Sequence, residues 1–259
     1  MVVAWAEYNT FFQETKDTFA LTSKSADINY MRRIIPQYRD SSFWMIIEDE
    51  KMDSNGNSTS AFAKDMLAIF DLCKEKREIV TTSELSTLTK LTQFNKEISR
   101  PYFPPDSAQP DPQMPILMQV VAIPLLTEDR PSNRGIIIGK ILNNDNSIVD
   151  RIDQLFPGTN STISVRNGLR ISGNIKSKSH ESFIGKLQEK EHIEAVYHGN
   201  RYYGQIALED LNDKIISEPI YNNKKEIIGA LTTGFPYLRF ASLKQQVTIY
   251  ILSLASLLL

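Results

Sequence analysis

Two stretches of the chain share one pattern, and that pattern constrains the fold more than any other feature. Ala122-Ile-Pro124-Leu, a polar turn and Gly135-Ile-Ile-Ile-Gly139 precede a helix-forming segment. Ser217-Glu-Pro219-Ile, a polar turn and Glu226-Ile-Ile-Gly229 precede another, roughly 90 to 95 residues later. Each copy reads as strand, hairpin and strand leading out into a helix. Two similar α+β modules in series satisfy this arrangement, and 259 residues suffice for two small cores.

The rest of the chain fills in around the repeat. From Ala4 to about Ile35 there is no Gly or Pro, and Tyr8, Phe12, Thr15, Phe19, Thr22, Ala26, Tyr30 and Arg33 recur at spacings of three and four. This predicts a helix of roughly 45 Å, ended by Pro36. A strand is expected at 43–48 and a helix at 61–77, with Phe62, Met66, Ile69, Phe70 and Cys73 on one face. A short strand at 78–82 should give way to a helix from Ser83, with Leu85, Leu88 and Leu91 nearer the core. Residues 101–115 hold six of the twelve prolines and read as a loop, since proline removes donors from any ladder. Strands follow at 116–126 and 135–142, then a helix at 148–156. A hairpin is expected at 162–165 and 169–175 about Asn167-Gly168, the strongest short hairpin signal. A helix at 187–198 and strands at 202–209, 214–219 and 226–234 complete the reading.

Charge and the chain ends narrow the class. Lys and Arg number 29 against 31 Asp and Glu, a net charge of −2, with no cationic run, so a nucleic-acid partner is not expected. One cysteine, Cys73, excludes an internal disulfide and a cysteine-based zinc site. The thirteen residues 247–259 carry no charge and read as the first half of a membrane span, which takes roughly 20 apolar residues. The expected domains are a spine helix at 1–35 that closes a first membrane helix, a membrane-distal module at 36–146, a membrane-proximal module at 147–238, and an exit helix entering a membrane span at 239–259.

Catalytic patterns are missing from the sequence: there is no Walker A, GxGxxG, GxSxG, HExxH or CxxC. Glu194 and His198, four apart, supply two metal ligands at most and read as a solvated helix face; Asp145, Asp150 and Asp153 read as helix-start carboxylates. The expectation is a non-enzyme without cofactor or metal. The polar residues that alternate along the hairpin are more informative: Thr162, Ser164 and Arg166 on one strand, Arg170, Ser172 and Asn174 on the next. If solvated, they carry no function. If covered, they line a pocket in which Arg166 and Arg170 meet one carboxylate and Tyr203 closes the site. Trp44, Glu84, Arg100 and Tyr102 are the corresponding candidates in the first module, with core packing the alternative for Trp44.

GIIIGKILNNDNSIVDRIDQLF (135–156), TISVRNGLRISGNI (162–175), Ile184-Gly185, YHGNRYYGQIAL (197–208), SEPI (217–220) and IIGALTTG (227–234) together resemble the double Cache family, extracytoplasmic sensor domains of bacterial and archaeal receptors similar in fold to PAS domains. The resemblance covers about 100 residues well and the N-terminal half in outline. It implies an α+β fold with a long N-terminal helix and two tandem PAS-like modules, each an antiparallel sheet flanked by helices. It also implies a place between two membrane helices and output to a histidine kinase, a chemotaxis receptor or a cyclic-nucleotide enzyme. The partners expected are a small-molecule ligand such as a carboxylate, the membrane through the flanking helices, and a second copy of the chain. The sequence departs from the family at Gly173, where Thr is common, and at Asn222–Glu226, which lacks the usual Asp and Gly. The Trp-Tyr pair and Asp of the amino-acid-binding branch are not visible, so that ligand is not carried over. A secreted or membrane-anchored adhesion or scaffold module without a small-molecule ligand is the alternative class.

Overall fold

The computed structural model describes residues 2–25, 32–33, 35, 41–49, 51–99, 111–125, 133–175, 182–208, 211–236 and 245–251. The chain divides into an N-terminal unit, Trp5–Asp145 with Ile220–Gly229, and a C-terminal unit, Met1–Ala4, Asn146–Pro219 and Ala230–Leu259. Each holds one five-stranded antiparallel sheet.

In the N-terminal unit the strands are β1 (Phe43–Glu48), β2 (Lys51–Ser54), β3 (Val80–Thr87), β4 (Pro115–Pro124) and β5 (Arg134–Ile141). They lie in the order β2-β1-β5-β4-β3. After Pro115 every residue of β4 is buried, as expected of a strand covered on both faces. One face carries Phe43, Met45, Val120 and Ile137 and is covered by α2 (Ala61–Lys76) and α3 (Leu88–Phe94). Phe43, Phe62 and Phe94 pack there edge-on and tilted, with centroids 5.0 Å apart for the first pair and 4.9 Å for Phe62 and Phe94. The other face holds Ile46, Val121, Ile136 and Ile138 against Phe11 of α1 (Val2–Ser25). Two polar contacts fix α1 on this face. The Tyr8 hydroxyl lies 2.8 Å from Ser83 Oγ, and the buried Gln119 amide donates to the Tyr8 carbonyl. A short helix, α4 (Lys96–Ser99), follows α3.

The C-terminal unit holds β6 (Asn160–Val165), β7 (Arg170–Gly173), β8 (Tyr202–Leu208), β9 (Leu211–Tyr221) and β10 (Ile227–Pro236) in the order β7-β6-β10-β9-β8. Numbered within each unit, both sheets read 2-1-5-4-3. The repeat seen in the sequence falls on the fourth and fifth strands of each, so two modules of one topology are built in series. The helices here are α5 (Ser147–Leu155) and α6 (Lys190–Tyr197). Residues 245–251 are helical, with Val247, Ile249, Tyr250 and Ile251 exposed. Among the described residues no helix is long and apolar enough to cross a membrane.

The largest boundary difference from expectation is at β3. The helix expected from Ser83 begins only at Leu88, because Val80–Thr87 pairs with β4 at all eight positions, from Val80 opposite Ala122 to Thr87 opposite Pro115. Leu85, placed near the core by helical spacing, is 37% exposed as a result. Serine and threonine are weak helix formers, and an eight-residue ladder outweighs three leucines at helical spacing. The polar KMDS run of β2 is an edge strand whose last two residues, Asp53 and Ser54, lie in a polar stretch at 53–58 that reads as a turn in sequence.

Gly139 carries the tightest constraint on this core. A Cβ there would come within 2.0 Å of the Phe43 ring, which is itself wedged against Phe62. Gly139→Ala should therefore destabilise the protein by about 1–3 kcal/mol, the range for overpacking. A fall in the urea midpoint without change in slope checks this; an unchanged midpoint contradicts the packing described.

Candidate functional site

The site is built on the β6–β7 hairpin. The turn at Asn167-Gly168 closes through Gly168 N–H to Val165 O at 2.7 Å, with Gly168 at φ +82°. Only glycine takes that conformation freely. The register then shifts: Ile163 faces Ser172, but Ser164 faces Arg170, so Ile171 is the extra residue of a β-bulge. The bulge separates side chains that simple alternation puts together. Arg170 stays on the face of Thr162 and Ser164. Ser172 turns to the other face, where its hydroxyl meets Asn146 Oδ1 at 3.2 Å, and Asn174 follows it there, bonding Val149 O and Thr159 O.

The Arg170 face is covered and polar. It forms a small cavity of about 10 Å³, room for roughly one water, lined by Asn160, Thr162, Arg170, Ile175, Gln188, Ile206, Asp213, Ile215 and Thr232. Gln188, on the segment before α6, bridges it: its Oε1 accepts from Ser164 at 3.0 Å and its Nε2 donates to Thr232 Oγ1 at 3.2 Å. Thr232 also shares a 2.7 Å hydrogen bond with Ser217 and lies 3.5 Å from His192 Nε2. Asn160 donates to Asp213 at 2.5 Å. Gly234 leaves room for that carboxylate, since a Cβ would lie 3.3 Å from Asp213 Oδ2.

Arg170 is 2% exposed. It donates through Nη1 to Leu187 O at 2.6 Å and sits 3.5 Å from Glu189, whose side chain is 38% exposed. Burial lowers the guanidinium's proton affinity and Glu189 opposes that shift. His192, 1% exposed and stacked on Tyr202, is held neutral: burial first, then the Arg170 charge, brings its pKa down to about 4.

Of the residues singled out in the sequence, Thr162 and Arg170 line this cavity. Arg166 is exposed at the turn, so the two guanidinium groups do not share one enclosed site. Tyr203 is 63% exposed on β8, where its hydroxyl accepts from Arg201 at 3.0 Å. In the N-terminal unit Trp44 packs on the apolar cluster of Ile46 and Ile138. Glu84 accepts from Thr82 Oγ1 at 2.8 Å and from Asn223 N–H at 3.3 Å, with its carboxyl raised by burial. Arg100 and Tyr102 lie outside the described residues. The sequence reading missed Gln188, His192, Asp213 and Thr232. Thr232-Thr233 interrupting the apolar run of β10 was the one available signal; Gln188 falls in the helix expected at 187–198, but α6 begins only at Lys190 and leaves it in the preceding coil. Among the described residues no three His, Cys, Asp or Glu side chains gather as a metal site.

His192 sets a pH dependence. Its folded pKa lies below the ordinary 6.5, so the unfolded chain takes up a proton that the folded chain refuses. Its contribution is complete above pH 6.5, falls as pH drops towards 4, and is flat below. The shift corresponds to roughly 3 kcal/mol. His192→Gln should remove this part of the acid limb in a plot of unfolding free energy against pH, and matching limbs in the two proteins would refute the assignment.

A family model, single Cache domain 3, matches residues 140–247. No curated protein sequence matches the chain. Solved structures similar to it include the Escherichia coli DcuS sensor domain, at 20% identity, 39% of this chain, 68% of that chain and a TM-score of 0.29. The ligand-binding domain of the Pseudomonas aeruginosa amino acid chemoreceptor PctB, in complex with L-Gln, aligns over 98% of this chain and 95% of its own, at 10% identity and a TM-score of 0.45. The Vibrio cholerae LuxQ periplasmic domain aligns over 84% and 83%, at 11% identity and a TM-score of 0.41. The part of the chain that matches the single Cache domain 3 model, residues 140–247, holds the second 2-1-5-4-3 sheet and its polar face.

Proposed function

We propose that the chain is the extracytoplasmic sensing region of a transmembrane receptor, of the histidine kinase, chemotaxis receptor or cyclic-dinucleotide enzyme type, and that a small carboxylate binds at Arg170. One observation carries the reading: a guanidinium 2% exposed on a polar lining, paired with a glutamate at 3.5 Å that is itself partly in water. Burying a charge is costly unless it is closely paired, and a cation so loosely paired favours an anion. A carboxylate arriving there takes the guanidinium fork in competition with Leu187 O and Glu189. Asp213 on the same lining disfavours ligands of high negative charge and favours one that also carries a cationic group.

A cavity of about 10 Å³ admits such a ligand only if its cover moves. The cover is the 187–189 segment, held by Arg170 to Leu187 O and to Glu189, by the Gln188 side chain to Ser164 and Thr232, and by Gln188 N–H to Gly168 O at 2.9 Å. Ligand binding that replaces these favours the state with the segment displaced, a population shift driven by differential affinity. Thr232 lies on β10, which ends at Pro236 ahead of the helical stretch 245–251, the direction in which the signal travels. In this reading 36–146 is the membrane-distal module, 147–238 the proximal one, 1–35 the spine, and 239–259 the exit towards the membrane.

The test is thermal melting with acetate, succinate and L-alanine as probes. A binding probe should stabilise the chain saturably, by about 2.7 kcal/mol at a hundredfold excess over Kd. Arg170→Met, which keeps the buried volume and removes the charge, should abolish that shift. If no probe stabilises the chain, or if the shift survives Arg170→Met and disappears in Arg100→Ala, the assignment to this pocket is wrong.

A further inference from the structure

The opposite face of β10 carries a second cavity, and its chemistry differs from the first. Successive residues of a strand point to opposite faces, so Thr232 belongs to the Arg170 pocket and Thr233 to this one. The second cavity measures about 270 Å³, is open on one side, and is lined by Ala4, Ile152, Phe156 and Phe235 with Thr159 and Thr233. It has no charged residue in its lining. An apolar cavity of about 150 Å³ takes benzene, so this one has room for roughly ten heavy atoms.

Thr159 makes it more than an apolar groove. The residue is 2% exposed, and its hydroxyl is buried without a protein partner. Its backbone is held in place: Thr159 N–H donates to Phe156 O at 3.1 Å, and Thr159 O accepts from Asn174 Nδ2 at 3.1 Å. The turn before it is fixed by Gly158 N–H to Asp153 at 2.7 Å, with Gly158 at φ +83°. Thr233, by contrast, already receives a hydrogen bond from Ser161 at 3.4 Å. An unpaired hydroxyl in an apolar lining costs free energy until something pairs with it.

We propose that this cavity is a second binding site, for a neutral amphipathic small molecule: an aromatic or short aliphatic body with one hydroxyl or carbonyl group that pairs with Thr159. The uncharged lining excludes the anion assigned to Arg170, so the two faces of β10 read two different ligand chemistries.

The probe is 2-phenylethanol, with ethylbenzene as the analogue lacking the hydroxyl, followed by saturation-transfer NMR and thermal melting of the full chain. Binding of 2-phenylethanol should be saturable and stronger than that of ethylbenzene. Thr159→Val should melt no lower than the parent without ligand, since its hydroxyl lacks a partner, and should weaken 2-phenylethanol about fivefold. Ala4→Leu, which fills the cavity, should abolish binding; if that variant fails to fold, Thr159→Val decides alone. Arg170→Met should leave 2-phenylethanol binding intact, which separates this site from the carboxylate pocket. Three outcomes overturn the proposal: no saturable binding to the parent, equal affinity for parent and Thr159→Val, or loss of binding in Arg170→Met.

Discussion

Burying the guanidinium of Arg170 is the constraint on which the C-terminal unit is organised. A cation at 2% exposure must be compensated by protein groups, and here a backbone carbonyl and one partly exposed glutamate do so. Both belong to the segment before α6, so the charge holds down the cover of its own cavity. The same charge bears on His192 and, with burial, keeps the imidazole neutral beside Thr232. Removing the arginine would loosen the cover and relieve the histidine together.

Strand β10 gives the unit its second organising element. It lies in the middle of the sheet, and its two faces are chemically unlike. One face takes part in the network of Gln188, Ser217 and His192 through Thr232. The other presents Thr233 to Ser161 and to the apolar cavity. A central strand cannot shift without disturbing the ladders on both sides, so occupancy on either face acts on the same rigid element.

The β6–β7 bulge illustrates how local geometry selects the site. Alternation groups Arg170 with Ser172 and Asn174; one extra residue at Ile171 sends the latter two to α5. There they hold Asn146 and the Val149 and Thr159 carbonyls, so their polarity serves the framework. The serine and asparagine look equivalent to the arginine in sequence and play different parts in the fold.

The sequence by itself determined the modular plan. Its repeat of proline, turn and Gly-Ile-Ile marked the fourth and fifth strands of both sheets, and its Asn-Gly turn and helical periodicities placed most elements, because these signals are local and follow from backbone sterics and the burial of one face. It also marked Arg170, since a charged residue on an alternating strand stands out. Tertiary structure alone decided the rest. Val80–Thr87 became strand because β4 offered eight partners. Arg166 went to solvent and Arg170 inside because the turn and the bulge set their directions separately. Gln188 and Asp213 entered one lining from a coil and a strand 25 residues apart in the chain, and His192 reached Thr232 of that lining from a helix. Such convergence depends on packing between elements remote in sequence, and no pattern within a single segment encodes it.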